Sequence, residues 1–520
     1  MALLQTPKFS PVKYNTFEIP KPCSGGINLL DLEYEQEVNQ SPNVLNMMYR
    51  NGAFGKRYGQ EYYYDYKDTI YDLAFYDANI IIHAGSKVYK NTEMIYDGLP
   101  SKRGLFINFN RMLYYIGDKF YVLSEEEDFK EVEPYVPDVV INRKPDGTYA
   151  DTIENYNRLG TGFKNSFHGD GESKEYILTD KELDEKQPIV EVDGEVLLAD
   201  EYTADYVEGK ITFNTAPPKG TNNVVITIYK TEQKYIDTIL SSKYWVAYGG
   251  ENNSRLFLAG GGESIYYYSE VFDATYFPEN NYARIGNTED DITGFGEQYD
   301  VLMAFKPTEI FALEYYQDDE GRGQFTSKLV NAKIGCDTPY SIQLINNQLV
   351  WLSTIHGVCT LVSTNIEDER NVRIISRNIN GGYRMHGLLQ ESELKNAVSV
   401  DWDNKYMLSI NDKMYVWDYL MTPYQNTGKL DQDAKRLAWF LFDNFNVYQF
   451  IKSERDLYYA LGAKLVKLND TYSDFGKPIH AIYQTPLFQF DAVEYLKAVR
   501  NMYVQARGDT ASVINIKYIT

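Results

Sequence analysis

The chain has 520 residues, with 74 acidic against 51 basic side chains, a net charge of −23 and 43% hydrophobic residues. This balance argues against a surface that grips DNA tightly by neutralising its phosphates and against one held to an anionic membrane, while a surface over which DNA slides stays compatible. The length suits two to four domains or one large repeat-built domain with inserts, and 47 Tyr against 25 Phe and 5 Trp favour pleated, half-buried surfaces, hence a β-rich protein with extensive contact surfaces.

In chain order, residues 1–60 read as an N-terminal arm. Within it, "SPNVLNMMYRNGAFGKRYG" (41–59) places Ser41 as N-cap and Pro42 at the first position of a single helical turn. A hairpin turning at Asn51-Gly52 follows, and the stretch brings three positive charges, Arg50, Lys56 and Arg57, into an acidic chain. From there one pattern recurs: an aromatic and aliphatic strand, a short Gly, Asn or Asp turn, and a second such strand. It appears at 79–91 ("NIIIHAGSKVYKN") and 111–124, then at 254–270, 299–315, 347–363 ("NQLVWLSTIHGVCTLVS"), 404–420 and 456–470, which makes seven hairpins.

Except for the gap between 124 and 254, these hairpins start at blade-sized spacing. The spacing predicts an all-β fold: a β-propeller of six to eight blades over 61–164 and 233–490. A four-stranded blade cannot bury both faces alone, and radial stacking buries them and leaves only short edges. A stack of β-sandwiches with similar hairpins is the alternative. The gap holds an acidic run at 124–138, read as a solvated linker, and then strands separated by Asp-Gly, Glu-Gly and Pro-Pro-Lys-Gly turns, read as a small β-sandwich inserted over 165–232. Such an insertion is tolerated because loop-closure cost grows slowly with length. Helical patterns are nearly absent; 491–502 reads as a helix or as a strand leading into a C-terminal hairpin over 491–520.

Chemistry is sparse. Cys23, Cys336 and Cys359 lie far apart, without disulfide or zinc spacing. The first residues carry no apolar stretch of signal-peptide length and no run of 18 apolar residues occurs, which leads to the expectation of synthesis in a reducing cytoplasm and no membrane span. The five histidines are scattered, and nucleophile elbow, Walker loop and dinucleotide fingerprint are all missing. "LAGGGES" (258–264) and "GDGE" (169–172) read as turns, and "RGD" (507–509) as a tripeptide in a turn. Asp401 and Asp403, two apart, would suit calcium or acid–base work but read more simply as a solvated hairpin shoulder. "YSDFGKPI" (472–479) falls short of a sialidase Asp-box because Ser473 directly precedes Asp474 and no closing Trp follows. The expectation is a protein with no catalytic residues, cofactor or metal.

Three stretches carry a resemblance. Gly25, Gly26, Ile27 and Asn28, then Ser41 to Asn46, then Lys56 to Gly59 are similar to the N-terminal signature of a group of bacteriophage structural proteins, with Val44 in place of a small Ala and Tyr58 in place of Pro. "YYYSEVFDATYFPENNYARIG" (266–286), "DDITGFGEQYDVLMAFKPTEIFAL" (290–313) and "KIGCDTPYSIQLINNQLVWLSTIHGVCTL" (333–361) resemble the blade sequences of the same group, and the insert resembles β-sandwich modules of phage structural proteins. The family is that of propeller-type tail nozzle, tail-hub or packaged-DNA stabilisation proteins. The resemblance implies a virion protein assembled in the bacterial host cytoplasm. It would form a homo-oligomeric ring, as a hexamer, beneath a portal or adaptor and beside other tail proteins. That ring would continue the DNA channel without reading sequence, and would help retain and then deliver the genome. On this reading Ser41, Pro42, Asn46, Arg50, Lys56 and Arg57 are candidate interface residues that pack on the propeller or a neighbouring subunit; solvated hairpin charges are the simpler account of the three cations. The alternative function is a host-surface carbohydrate-binding or depolymerising propeller, with Trp245, Trp402 and Trp417 as candidate sugar platforms.

Overall fold

A computed structural model of the chain describes residues 16–19, 21–50, 52–125, 128–249, 252–317, 323–363, 371–382, 386–421, 437–490, 498–508 and 513–518. Strands dominate, and they form many small antiparallel sheets. Seven of these share one plan, four strands in simple up-and-down order, which the seventh extends by two short strands, Ser473–Asp474 and Lys477–Pro478. The first is Ile70–Tyr76, Asn79–Ala84, Lys87–Lys90 and Glu93–Asp97; the second is Leu105–Phe109, Met112–Ile116, Phe120–Leu123 and Lys130–Glu131. The third to sixth begin at Tyr244–Tyr248, Gly294–Gln298, Gln343–Ile345 and Val398–Trp402 and end at Tyr282–Arg284, Gly323–Asn331, Val372–Ile374 and Trp439–Asp443. The seventh takes three strands, Phe450–Lys452, Leu457–Leu461 and Lys464–Asn469, from the end of the chain and its fourth, Gly59–Asp65, from the beginning.

Each hairpin read from the sequence supplies the second and third strands of one sheet. First and second strands join through tight two-residue turns in five sheets. At Asp77-Ala78, Asn110-Arg111, Tyr299-Asp300, Asn346-Asn347 and Asp403-Asn404 both residues have φ between 44° and 61°. These are the dihedral signs of a type I′ turn, whose twist matches that of the strands it joins.

The apolar faces of the sheets bury against one another in sequence. One cluster joins the first sheet to the second through Ile81, Val88, Phe106 and Tyr115, and another the second to the third through Ile107, Ile116, Leu256 and Leu258. The pattern runs on through the fourth, fifth and sixth sheets, and a last cluster puts Tyr458, Ala460 and Leu465 of the seventh against Ile70, Leu73 and Ile82 of the first. The first strands repeat this order: each touches the next, and Phe450–Lys452 of the seventh sheet touches Ile70–Tyr76 of the first. Middle strands such as Gln348–Ser353 and Gly357–Leu361 are therefore covered on both faces and read as nearly unbroken apolar runs rather than alternating ones.

The inserted module begins earlier than the sequence suggested. Its larger sheet contains Asp138–Arg143 and Asp151–Thr152 as well as Gly162–Gly169, Gly220–Tyr229, Ile189–Val192 and Glu195–Val196, and a three-stranded sheet of Glu175–Ile177, Lys210–Phe213 and Tyr202–Asp205 faces it. Phe163, Phe167, Tyr176, Val190, Phe213 and Ile226 form its own core. The boundary at 165 thus moves to about 138, because Asp138–Arg143 lies parallel beside Gly162–Gly169 and has no partner in the seven sheets. The acidic linker is likewise partly structured: Lys130–Glu131 closes the second sheet while Phe129 and Val132 go into clusters on either side. A helix missed in the sequence, Gln233–Leu240, leads from the module into the third sheet. At the other end, residues 491–497 and Asp509 lie outside the described residues. The expected C-terminal hairpin is not formed among the described ones, since 498–508 and 513–518 are exposed and carry no strand.

Candidate functional site

Two places concentrate polar side chains: the latch that joins the two ends of the chain, and a cavity among the first strands.

The latch contains every residue expected at an interface, and it corrects the local structure. Residues 43–45 form a strand, not a helical turn, antiparallel to Ile482–Gln484. The Ser41 hydroxyl donates to the Gln484 carbonyl (2.8 Å) and accepts from the Asn43 N–H (3.2 Å). A serine hydroxyl two residues before an N–H closes a local turn as readily as it caps a helix, and the ladder with 482–484 outweighs one isolated helical turn. Pro42 is buried beside it. The expected hairpin pairing forms: Met47–Arg50 pairs with Ala53–Lys56, Arg50 stands opposite Ala53 and Gly52 has φ +78°, while Asn51 lies outside the described residues.

The three cations are spent inside the chain. Arg57 is fully buried. Its Nη1 and Nη2 donate to the two carboxylate oxygens of Asp474 (2.9 and 2.6 Å), its Nε to Asn46 Oδ1 (2.8 Å), and further bonds reach the carbonyls of Tyr58 and Asp443. The guanidinium lies 4.7 Å from the ring centre of Phe445. Asn46, at φ +55°, also donates to Asp443 Oδ1 (2.6 Å) and the His480 carbonyl (2.8 Å), and its Oδ1 accepts the Asp443 N–H. Lys56 Nζ donates to the Ile479 carbonyl (2.7 Å). Arg50 pairs with Asp470 and lies over the Tyr58 ring at 4.0 Å. Of the two packings expected of Arg57, on its own chain or on a neighbouring subunit, the contacts described are with its own chain. The signal missed in the sequence is that its acidic partner lies at the far end of the chain.

The cavity, about 310 Å³, is lined from all seven sheets or the segments leading into them: Asp72, Arg103, Tyr244, Phe295, Gln343, Ser399 and Gln449. Asp72 is buried; its Oδ1 accepts the Leu73 N–H (2.9 Å) and its Oδ2 the Phe106 N–H (3.0 Å), tying the first sheet to the second. Burial pushes its carboxyl up to about 6, against the opposing pull of the Arg103 charge and these hydrogen bonds. Behind it, His83 is fully buried. Its Nε2 bonds the Gly85 carbonyl (3.0 Å), which fixes the proton there, and its Nδ1 accepts from the Tyr115 hydroxyl (2.8 Å). Burial lowers this imidazole to about 4. Arg103 lies over the rings of Tyr340 (3.8 Å) and Tyr448 (5.0 Å).

The remaining candidates separate. Asp401 accepts from the Tyr419 hydroxyl (2.9 Å), and Asp403, in a turn, from Tyr58 and from Lys405 Nζ (3.0 Å), so the pair does not share a site. Among the described residues no group of three or more His, Cys, Asp or Glu is placed to hold a metal ion. Trp417 is buried, Trp402 packs edge-on against Tyr58, and Trp245 alone of the three borders the cavity. Asp170 closes its own turn by accepting from Glu172 N–H and Ser173 N–H. No described helix is long and apolar enough to cross a membrane.

No family model matches the chain, and no curated protein matches it. Among solved structures it is similar to a computationally designed protein, Ika8, at 12% identity and a TM-score of 0.33, over 79% of this chain and 99% of that one. It is also similar to PorZ, a bacterial surface component of the type-IX secretion system of Porphyromonas gingivalis, at 12% identity and a TM-score of 0.31, over 82% of this chain and 39% of PorZ.

Proposed function

We propose that the seven sheets are the blades of a closed β-propeller. We further propose that the protein is a structural component of a bacteriophage virion, whose copies join in a ring in the neck or tail, continue the DNA channel, and help retain and then deliver the genome. The observation that carries this reading is the use of residues 25–60, the stretch with the phage signature. Ser41, Asn46, Lys56 and Arg57 all bind main chain or carboxylates between 443 and 484, and Gly59–Asp65 completes the seventh sheet. A signature spent on fastening the two ends of a chain together serves shape. Contact of the seventh sheet with the first supports the closed ring of blades.

The cavity among the first strands bears on where DNA would pass. At about 310 Å³ it suits a small molecule, whereas the major groove of a duplex is by itself about 12 Å wide. The channel is therefore formed between copies of the chain, not along the axis of one. Mass measurement of the purified protein together with electron microscopy of phage particles, using an antibody to this chain, tests the proposal. A ring-sized oligomer and label at the head–tail joint or tail are expected. A monomer absent from particles that binds or cleaves a host polysaccharide would replace this reading with the carbohydrate one.

A further inference from the structure

Arg103 borders the cavity with hydrogen-bond donors that no described residue takes up, although its charge acts on Asp72. Its guanidinium lies over Tyr340 at 3.8 Å and Tyr448 at 5.0 Å, yet it makes no hydrogen bond or ion pair with any described residue. Asp72 borders the same cavity, but its oxygens accept the main-chain N–H groups of Leu73 and Phe106. A guanidinium presents five in-plane N–H donors, and packing on tyrosine rings occupies its faces while leaving that edge free. Contrast Arg57, whose donors are saturated by Asp474, Asn46 and two carbonyls. A second cation, Lys243, borders the cavity, and its ammonium group likewise makes no ion pair with a described residue. The remaining wall is aromatic or hydrogen-bonding, with Trp245, Phe295, Gln343 and Ser399.

We propose that this cavity is a binding site for a small oxyanion-bearing organic molecule, a carboxylate or a phosphate ester, held edge-on by Arg103 and attracted by Lys243, with its apolar body against Trp245 and Phe295. Arg–carboxylate and Arg–phosphate pairs of this kind are bidentate and charge-assisted, and the volume matches the lower end of small-molecule sites. This inference goes beyond the structural role and does not rest on it: the site belongs to a single chain, whatever the chain assembles into.

The test is titration of the full chain with benzoate, phenyl phosphate and the neutral benzyl alcohol, read by tryptophan fluorescence, which Trp245 reports, and by calorimetry. Saturable binding of at least one anion is expected, with benzyl alcohol silent. Arg103→Lys, which keeps the charge and loses the fork, is expected to weaken binding about tenfold, equivalent to about 1.4 kcal/mol, and Arg103→Leu to abolish it. Lys243→Gln, a surface change that leaves the tyrosine packing intact, is expected to weaken it several-fold and so covers the case in which Arg103→Leu fails to fold. Which anion binds assigns carboxylate or phosphate. Binding of benzyl alcohol as tight as that of the anions, unchanged binding in a folded Arg103→Leu or in Lys243→Gln, or no binding of either anion overturns the proposal.

Discussion

Arg57 and Asp474 form a buried ion pair whose remaining donors and acceptors are all met, by Asn46, Asn444 and two carbonyls. Such a pair costs heavily when halved and little when replaced whole, because the loss lies in the charge left unpaired. Arg57→Leu is expected to destabilise the chain by about 3–5 kcal/mol, and the double change Arg57→Leu with Asp474→Leu to recover much of that, both read from urea midpoints. His83 and Asp72 make opposite demands on pH. The imidazole is lowered from 6.5 to about 4, so the unfolded chain binds its proton first and stability falls as pH drops from 6.5 towards 4. The carboxyl is raised from 3.8 to about 6, so the folded chain binds its proton first and stability rises as pH drops from 6 towards 3.8. At 1.36 kcal/mol per unit each effect is of order 3 kcal/mol, and they nearly cancel. Relative to the parent, Asp72→Asn is therefore expected to lose more thermal stability between pH 7 and pH 5, and His83→Gln to lose less. Identical profiles in the three proteins would refute both assignments.

The repeating element is a hairpin entered through a left-handed turn. Asn346-Asn347 and Asp403-Asn404 suit it, since Asn and Asp tolerate positive φ. Tyr299-Asp300, with φ of 52° and 60°, puts an exposed Tyr where an L-residue pays about 1–2 kcal/mol. Tyr299→Asn with Asp300→Gly keeps the two-residue loop and supplies the preferred type I′ pair. It is expected to stabilise the chain by about 1 kcal/mol once the entropic cost of glycine is subtracted, seen as a raised thermal midpoint. Loss of stability would show that Tyr299 contributes a contact that outweighs the strain.

At the scale of the molecule, the inserted module is a separate body with a separate core, clamped at one place. Asn157 donates to the carbonyls of Tyr135 (2.9 Å) and Thr275 (2.8 Å), and Arg158 to the Glu279 carbonyl while lying over Tyr235, Tyr267 and Tyr282. A contiguous body with a core of its own opens as its own cooperative unit, even though Leu159 of the same stretch packs into the cluster between the second and third sheets. Calorimetry is expected to resolve two transitions. Replacing 138–230 with a short linker removes one of them and leaves the other in place; a single transition, or collapse of the remainder on excision, would mean that the clamp couples the two.

The strand-rich character, the seven hairpins and the existence of an insert were all legible in the sequence, because each rests on local chemistry: β-branched and aromatic runs, turn residues, and a change of spacing. The pairing of Met47–Arg50 with Ala53–Lys56 was legible for the same reason. What stayed hidden were partners far along the chain. Ser41 reads locally as a helix cap and becomes a turn beside 482–484; Arg57 reads as a surface charge until Asp474, 417 residues away, is brought to it. Asp138–Arg143 reads as part of the propeller until Gly162–Gly169 lies alongside, and the cavity that gathers Asp72, Arg103 and Tyr340 does not exist in any single segment. Local pattern determined which stretches would pair into ribbons. Only burial between consecutive sheets, and the joining of the chain's two ends, decided which polar groups were buried with partners and which, like Arg103, were left with donors to offer.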